Sequence, residues 1–342
     1  MEFIKSTPKI DFVGMRKKAY VVSAILLLAS IAAVILIGPR FGVDFVGGTL
    51  IQIKFSAPTK TSVIKQGLKS IGLDGAAVQK FGESDASEFL IRTNQPVDAS
   101  EEFTGQLEKT LGESTGQTAA IQRIEMVGPQ VGKDLREKAL LAIYYTMLMI
   151  TIYISGRFEL KWTLSIIVAG VLIGAVYLFS LFHVGLVFLI ATALIVTLVL
   201  FWFLSLKYAM GAIVALLHDV LITVGIFCIM GKEFTLPIIA ALLTIIGYSL
   251  NDTIIVYDRI RENLRKNSKN TLDVNINLSV NETLSRTILT GGTTLVSVVA
   301  LLIWGGGIIH DFAFAMTVGI LVGTYSSVFV ASPILLAYQG RR

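Results

Sequence analysis

The sequence holds little of what a soluble enzyme normally uses. It has one cysteine, Cys228, so no disulfide can close within the chain and no paired-cysteine metal site exists. It has three histidines and no HExxH run, and it contains neither a Walker A nor a GxSxG sequence. These absences argue against zinc-protease, nucleotide-driven and serine-hydrolase chemistry. No cofactor, no metal and no enzymatic role are expected, and an ion gradient is the energy source left. Charge is scarce too: 15% of residues are Asp, Glu, Lys or Arg, against about 25% in soluble domains.

What the chain has instead is apolar length. Of its 342 residues 54% are hydrophobic, and mean hydropathy is +0.73. The excess falls in long runs, and a run of about 18 or more residues predicts a membrane span. Eight spans are expected, at about Tyr20–Ile37, Ala139–Ile154, Thr163–Phe182, Gly185–Leu204, Ala209–Met230, Leu236–Val256, Thr287–Trp304 and Phe312–Ala337. The first follows Arg16-Lys17-Lys18 and ends at Gly38-Pro39-Arg40, without a small-x-small cleavage site. It reads as an uncleaved signal anchor.

The net charge of +5 points to anchoring, because Lys and Arg gather at the ends of apolar runs. Arg157, Lys161, Lys207, Arg259, Arg261, Arg265, Lys266, Lys269, Arg341 and Arg342 fall on the same side as Arg16 if the helices alternate. The loops at His183-Val184, Gly231–Glu233 and Gly305–Asp311 carry little positive charge. The positive-inside rule then places both termini in the cytoplasm and the long polar segment outside.

That segment, residues 39–137, mixes two periods. Thr49–Phe55, Ala76–Phe81, Glu88–Thr93 and Thr118–Ile124 read as strands, with a Gly/Ser/Asp turn between the second and third. Lys60–Ile71 and Ala99–Leu111 read as amphipathic helices. The order βαββαβ is the split-βαβ, ferredoxin-like arrangement. The chain divides into a cytoplasmic N-terminus and first span (1–38), the external ferredoxin-like domain (39–137), a second span with its loop (138–160), an extra helix pair (161–207) and a transmembrane core (208–342). The extra pair reads as a tandem duplication or as chance likeness of apolar runs. Leu160-Lys161-Trp162 matches Leu206-Lys207-Tyr208, and Thr151, Gly185 and Phe188 match Thr197, Gly231 and Phe234. In the earlier copy Leu172 and Ile173 stand where the later one has His218 and Asp219.

Ionisable side chains inside spans cost roughly 2.5–3.5 kcal/mol at a helix centre, so they mark function. Asp252 lies inside the sixth run, with Tyr248 and Ser249 on its face, Asn251 beside it, and Gly247 and Ser249 permitting close helix approach. A carboxyl there that alternates between an apolar setting and a nearby cation can take up and release a proton. Arg286, at the start of the seventh run, is the candidate cation, or else an anchor that snorkels to the headgroups. His218 and Asp219 sit mid-span in the fifth, as part of a proton path or as hydrogen-bonding partners of another helix. Outside, Asp44, Gly47 and Gly48 form a Gly-rich hinge between the first span and the polar domain.

Five stretches carry a resemblance: FGVDFVGGT (41–49), VGPQVGKDL (127–135), ALLHDV (215–220), GYSLNDTIIVYDRIREN (247–263) and LSRTILTGGTT (284–294). They resemble the motifs of the SecF family, which with the SecD family belongs to the resistance-nodulation-division (RND) superfamily. The resemblance implies an RND-like half: a polytopic α-helical membrane protein of the inner membrane with one α+β ferredoxin-like periplasmic domain. It implies SecD, the SecYEG channel and a translocating preprotein as partners. It implies support of late, ATP-independent export by the proton motive force, with the acid and arginine of the motifs, here Asp252 and Arg286, in proton transfer. The family normally has six spans, so the pair at 161–207 is a departure that leaves the motifs intact. Three other readings stay open. A small-molecule or lipid exporter of the same superfamily would need a larger external domain. A passive scaffold would not need Asp252. An aspartyl enzyme would need Asp252 and Asp219 in a protease motif, which is missing.

Overall fold

The computed structural model describes residues 8–81, 87–93, 97, 100–182 and 184–338. The chain starts with helix α1 (Arg16–Leu36), strand β1 (Arg40–Phe41) and a one-turn helix α2 (Val43–Val46). A small domain follows: β2 (Gly48–Phe55), α3 (Thr61–Ser70), β3 (Ala77–Phe81), β4 (Glu88–Thr93), α4 (Glu101–Thr115) and β5 (Ala119–Val127). Then come α5 (Pro129–Glu159), α6 (Trp162–Ser180), α7 (Leu186–Phe203), α8 (Lys207–Ile229), β6 (Glu233–Phe234), α9 (Leu236–Lys266), α10 (Leu272–Trp304) and α11 (Gly306–Ser326). A π-turn (Ser327–Ala331), a short α12 (Ser332–Ile334) and a 3-10 turn (Leu335–Tyr338) close the described chain.

The strands of the small domain form one antiparallel sheet in the order β3-β4-β2-β5. Alternation along β2 sends Ile51, Ile53 and Phe55 inward, where they meet Phe89 and Ile91 of β4. Ile64 and Leu68 of α3 and Leu107 and Leu111 of α4 cover that face. Ser100 caps α4 by accepting from the Phe103 amide, and left-handed Gly116 ends it. The expected Gly/Ser/Asp turn between β3 and β4 lies largely outside the described residues, as do His183 and the terminal arginines.

Among the described residues eight helices are long and apolar enough to cross a membrane: α1, α5 to α10, and α11 with the turns after it. Their number matches the sequence expectation, and three of them are longer than expected. Helix α5 begins at Pro129, so the expected boundary at 137 falls inside it, and α9 continues to Lys266. Helix α10 begins at Leu272, which puts Arg286 within a helix and not at the start of one. Helices of 31 and 33 residues are about 46–50 Å long, while the hydrocarbon core is about 30 Å thick. Their charged ends therefore continue as helix in water, tied together by Arg259–Glu282 and Arg157–Asp258 ion pairs. Asp258 is thus a helical, ion-paired residue, not the start of a loop.

Helix α8 forms the centre, packed against α1, α5, α9 and α11. Helices α9 and α11 meet through two glycines one turn apart. A Cβ on Gly323 would lie 2.9 Å from that of Ser249, and one on Gly319 would lie 2.3 Å from Ile245. This lets the backbones approach and sets Ser249 against the end of α11. Helices α6 and α7 are peripheral. Leu172 and Val176 of α6 pack with Tyr144 and Leu148 of α5 and Ala193 of α7, and much of the hairpin's outer surface stays exposed. The chain ends flanking the hairpin are in contact: the Phe158 and Tyr208 rings stack at 5.3 Å, and Glu159 accepts from the Tyr208 amide at 2.9 Å.

Candidate functional site

Asp219 sits in the middle of α8 and is 1% exposed. Its carboxylate has a partner at each oxygen. Oδ1 is 2.9 Å from His218 Nδ1, and Oδ2 accepts from Ser249 Oγ at 2.6 Å and Ser326 Oγ at 2.8 Å. Four segments meet here. Helix α8 supplies the acid and the imidazole, α9 supplies Ser249, and the end of α11 supplies Ser326. Helix α1 supplies Ser23, whose Oγ is 3.2 Å from His218 Nε2 and 3.0 Å from the Tyr325 hydroxyl. Tyr325 in turn donates to the Ala19 carbonyl at 2.8 Å. Hydrogen bonds to a charged group contribute about 1.5–3 kcal/mol each. Three of them at Asp219 are enough to offset an insertion cost of roughly 2.5–3.5 kcal/mol.

Asp252, one turn beyond Ser249 on α9, is also 1% exposed. Neither of its carboxylate oxygens has a hydrogen-bond partner. Arg286 acts on it electrostatically, but among the described residues no ion pair joins the two, and Arg286 is exposed. The two groups thus interact without a hydrogen bond or an ion pair between them. Of the other expected neighbours, Ser249 is buried and Tyr248 half-buried, while Asn251 and Gly247 are exposed. Gly247 has no other atom near its Cβ position. The expected close approach at Gly247 is therefore absent. It occurs at Ser249, where Gly323 supplies the room.

The Gly-rich segment at 41–49 is built more tightly than a free hinge. Asp44 lies in α2, and its Oδ2 accepts from the Leu236 amide at 2.8 Å, capping the N-terminus of α9. Strands β1 and β6 pair in parallel beside it, and the Gly42 amide donates to Phe234 O at 2.8 Å. Gly47 has φ +82°, and a Cβ there would strike the backbone of Pro129 at 2.7 Å, so this turn seats on the start of α5. Gly48 has φ +125° and opens β2. Arg92 of β4 pairs with Glu233 of β6, linking the small sheet to the α8–α9 connection. Burial pulls the Arg92 guanidinium below its ordinary value, and the negative charge of Asp44 opposes that shift.

Sequence reasoning missed Ser23, Ser326, Tyr325, Arg92 and Glu233. The first three are small or aromatic polar residues within apolar runs, the kind that hydrogen-bond across membrane helices. That pattern is the signal available for them. Arg92 and Glu233 lie on short polar elements far apart in sequence and give no such signal. Among the described residues no group of three or more His, Cys, Asp or Glu side chains could hold a metal ion.

Fold and site together define a polytopic membrane protein with two buried carboxylates between its spans and a compact α+β domain between the first two. The description "Protein export membrane protein SecD/SecF, C-terminal" matches residues 107–186 and again 172–341, and "SecD/SecF GG Motif" matches residues 33–59. A protein translocase subunit SecF from Desulfurispirillum indicum is 39% identical over 338 residues, covering 97% of this chain and 92% of that protein. One from Vibrio alginolyticus is 38% identical over 336 residues, covering 98% and 91%. The crystal structure of SecDF from Thermus thermophilus, described as a translocon-associated membrane protein, superposes with a TM-score of 0.71 at 30% identity. It covers all of this chain, and this chain covers 40% of it. SecDF in a super-membrane-facing form gives a TM-score of 0.63 at 31% identity, covering 98% of this chain and 39% of that one. The chain belongs to the SecD/SecF family of protein-export membrane proteins, and its named full-length relatives are SecF subunits.

Proposed function

We propose that this chain is the SecF-type subunit of a bacterial Sec export machinery. It works in the inner membrane with both termini in the cytoplasm and the ferredoxin-like domain in the periplasm. With a SecD partner beside the SecYEG channel, it uses the proton motive force to assist the late, ATP-independent passage of preproteins. The observation that carries this reading is the contrast at α9. Asp252 of α9 is buried without a hydrogen-bond partner, one helical turn from Ser249, which donates to a second buried carboxyl, Asp219 of α8, that has three partners.

An unpartnered buried carboxyl favours its neutral form. Drawing Arg286 toward it favours the charged one. A helix movement that changes the Asp252–Arg286 separation therefore exchanges a proton, and binding or losing the proton drives the movement in return. A unit charge crossing 100 mV supplies about 2.3 kcal/mol, which biases a two-state motion roughly fiftyfold. The Asp44 cap and the Arg92–Glu233 pair connect that helix to the external domain, which holds the emerging chain against backsliding. The split match of the family description at the α6–α7 hairpin supports the duplication reading of the extra pair.

The test is Asp252→Asn in the full chain, co-reconstituted with SecD and SecYEG in vesicles. We expect normal insertion, loss of gradient-dependent translocation and loss of proton flux. Full export by this variant would reject the proton role.

A further inference from the structure

The hydrogen-bond chain from Ala19 to Asp219 fixes where its protons are. Each hydroxyl has one proton to give. A carbonyl only accepts, so the Tyr325 O–H is committed to Ala19. The 3.0 Å contact between Ser23 and Tyr325 then requires Ser23 to be the donor. With its proton used, Ser23 must accept from His218 across 3.2 Å, so Nε2 carries a hydrogen. A neutral imidazole with a hydrogen on Nε2 presents a bare lone pair at Nδ1. That lone pair would face a carboxylate oxygen at 2.9 Å, which is repulsive unless a proton lies between them.

From this count we infer that the His218–Asp219 pair holds one exchangeable proton on the Nδ1–Oδ1 line, and that Ser23 and Tyr325 form the wire that discharges it toward the N-terminal end of α1. The inference rests on the proposed use of a proton gradient and names the residues of its path. The discharge balances step by step. The Nε2–H bond breaks as its proton passes to Ser23, the Ser23 proton passes to Tyr325, and the Tyr325 proton, released as its bond to Ala19 breaks, is taken up by water at that end. The shared proton settles on Nδ1, and the imidazole, now neutral, donates to a bare Asp219 carboxylate. One proton has left, the His218–Ser23 and Ser23–Tyr325 contacts keep a donor and an acceptor with their direction reversed, and the Tyr325–Ala19 bond stays broken until the hydroxyls turn back.

The surroundings suit this role. Ser23 is buried, and Ala19 lies one turn from it toward Arg16. A largely apolar crevice of about 290 Å³ between α1, α7 and α8 is bordered by Tyr20, Ser23, His218 and Leu198. The His218 and Tyr325 rings lie nearly parallel, 6.0 Å apart, which holds both partners of Ser23 in register. The groups facing the pair from α9 and the end of α11 are the hydroxyls of Ser249 and Ser326, with Asp252 one turn beyond Ser249. Among the described residues no lysine or arginine forms a hydrogen bond or ion pair with either member.

The protein has three histidines, so a sample labelled only with ¹⁵N-histidine is readable, and His218→Asn assigns the signal. With the full chain and its SecD partner in lipid vesicles, we expect the His218 Nε2 to be protonated and Nδ1 to share a proton with a carboxyl. A resting spectrum with Nδ1 protonated and Nε2 bare would overturn the assignment. In flux measurements Tyr325→Phe and Ser23→Ala should slow proton movement on the order of tenfold or more, with insertion unchanged. Ser23→Thr, which keeps the hydroxyl, should restore it. Parental flux in both Tyr325→Phe and Ser23→Ala would refute the wire. Absence of flux in the parent would instead refute the proposed function, and the spectrum would still decide the proton's place.

Discussion

The two intramembrane aspartates differ in one respect above all. Asp219 and Asp252 are equally buried and both touch the surface where α9 meets its neighbours. Asp219 is anchored by three side chains from three segments, and Asp252 by none. Depth in the bilayer therefore does not decide what a carboxyl does. The hydrogen-bond supply does. Asp219 is tied into the packing of three segments, whereas the carboxyl of Asp252 is tied to none.

The comparison breaks most visibly on removing both carboxyls in turn. Asp219→Leu strands His218, Ser249 and Ser326 and should cost about 3–5 kcal/mol, as loss of one member of a buried pair does. Asp252→Leu strands no hydrogen-bond partner and should leave thermal stability in detergent unchanged or raised. Equal losses in the two variants would erase the distinction. Next in size is the pair Ser249→Ala and Ser326→Ala. Each removes one donor from the same oxygen of Asp219 and should lower stability by about 1–3 kcal/mol. The double variant should lose more than either single one.

A smaller effect is expected outside the bilayer. Asp44→Ala removes the cap of α9 and should cost about 0.5–2 kcal/mol. Its sharper signature is functional: proton flux kept, export support reduced, and recovery with Asp44→Asn, which keeps an acceptor oxygen. The smallest effect belongs to the hairpin. Replacing residues 161–206 with a short Gly-containing turn should leave insertion and export near the parental level, checked by vesicle translocation.

Much of the membrane architecture was legible because apolar runs leave little choice in lipid. The strand and helix periods at 48–127 were legible for the same kind of reason: Ile51, Ile53 and Phe55 alternate, and Ile64 and Leu68 are one turn apart. Two things were not. Residues 257–266 and 272–285 look like loop because they are polar, yet ion pairs such as Arg259–Glu282 between neighbouring helices carry them on as helix in water. The site's real asymmetry was also hidden. Asp219 and Asp252 look alike in sequence, and their difference is set by Ser326, which is 107 residues from Asp219, and by Ser23, which is 195 residues from His218. No local pattern brings such partners together.

The α6–α7 hairpin leaves and rejoins the core at one spot. Leu160 and Ser205, with φ of 56° and 55°, make the same left-handed corner at the ends of α5 and α7, and Glu159 holds the start of α8. A shorter ancestor and a longer descendant can thus share one interior, differing only by a lobe of two helices. Because two crossings cancel, every downstream segment keeps its side of the lipid, so such a gain alters girth and neighbours in the bilayer without disturbing the machinery at the centre.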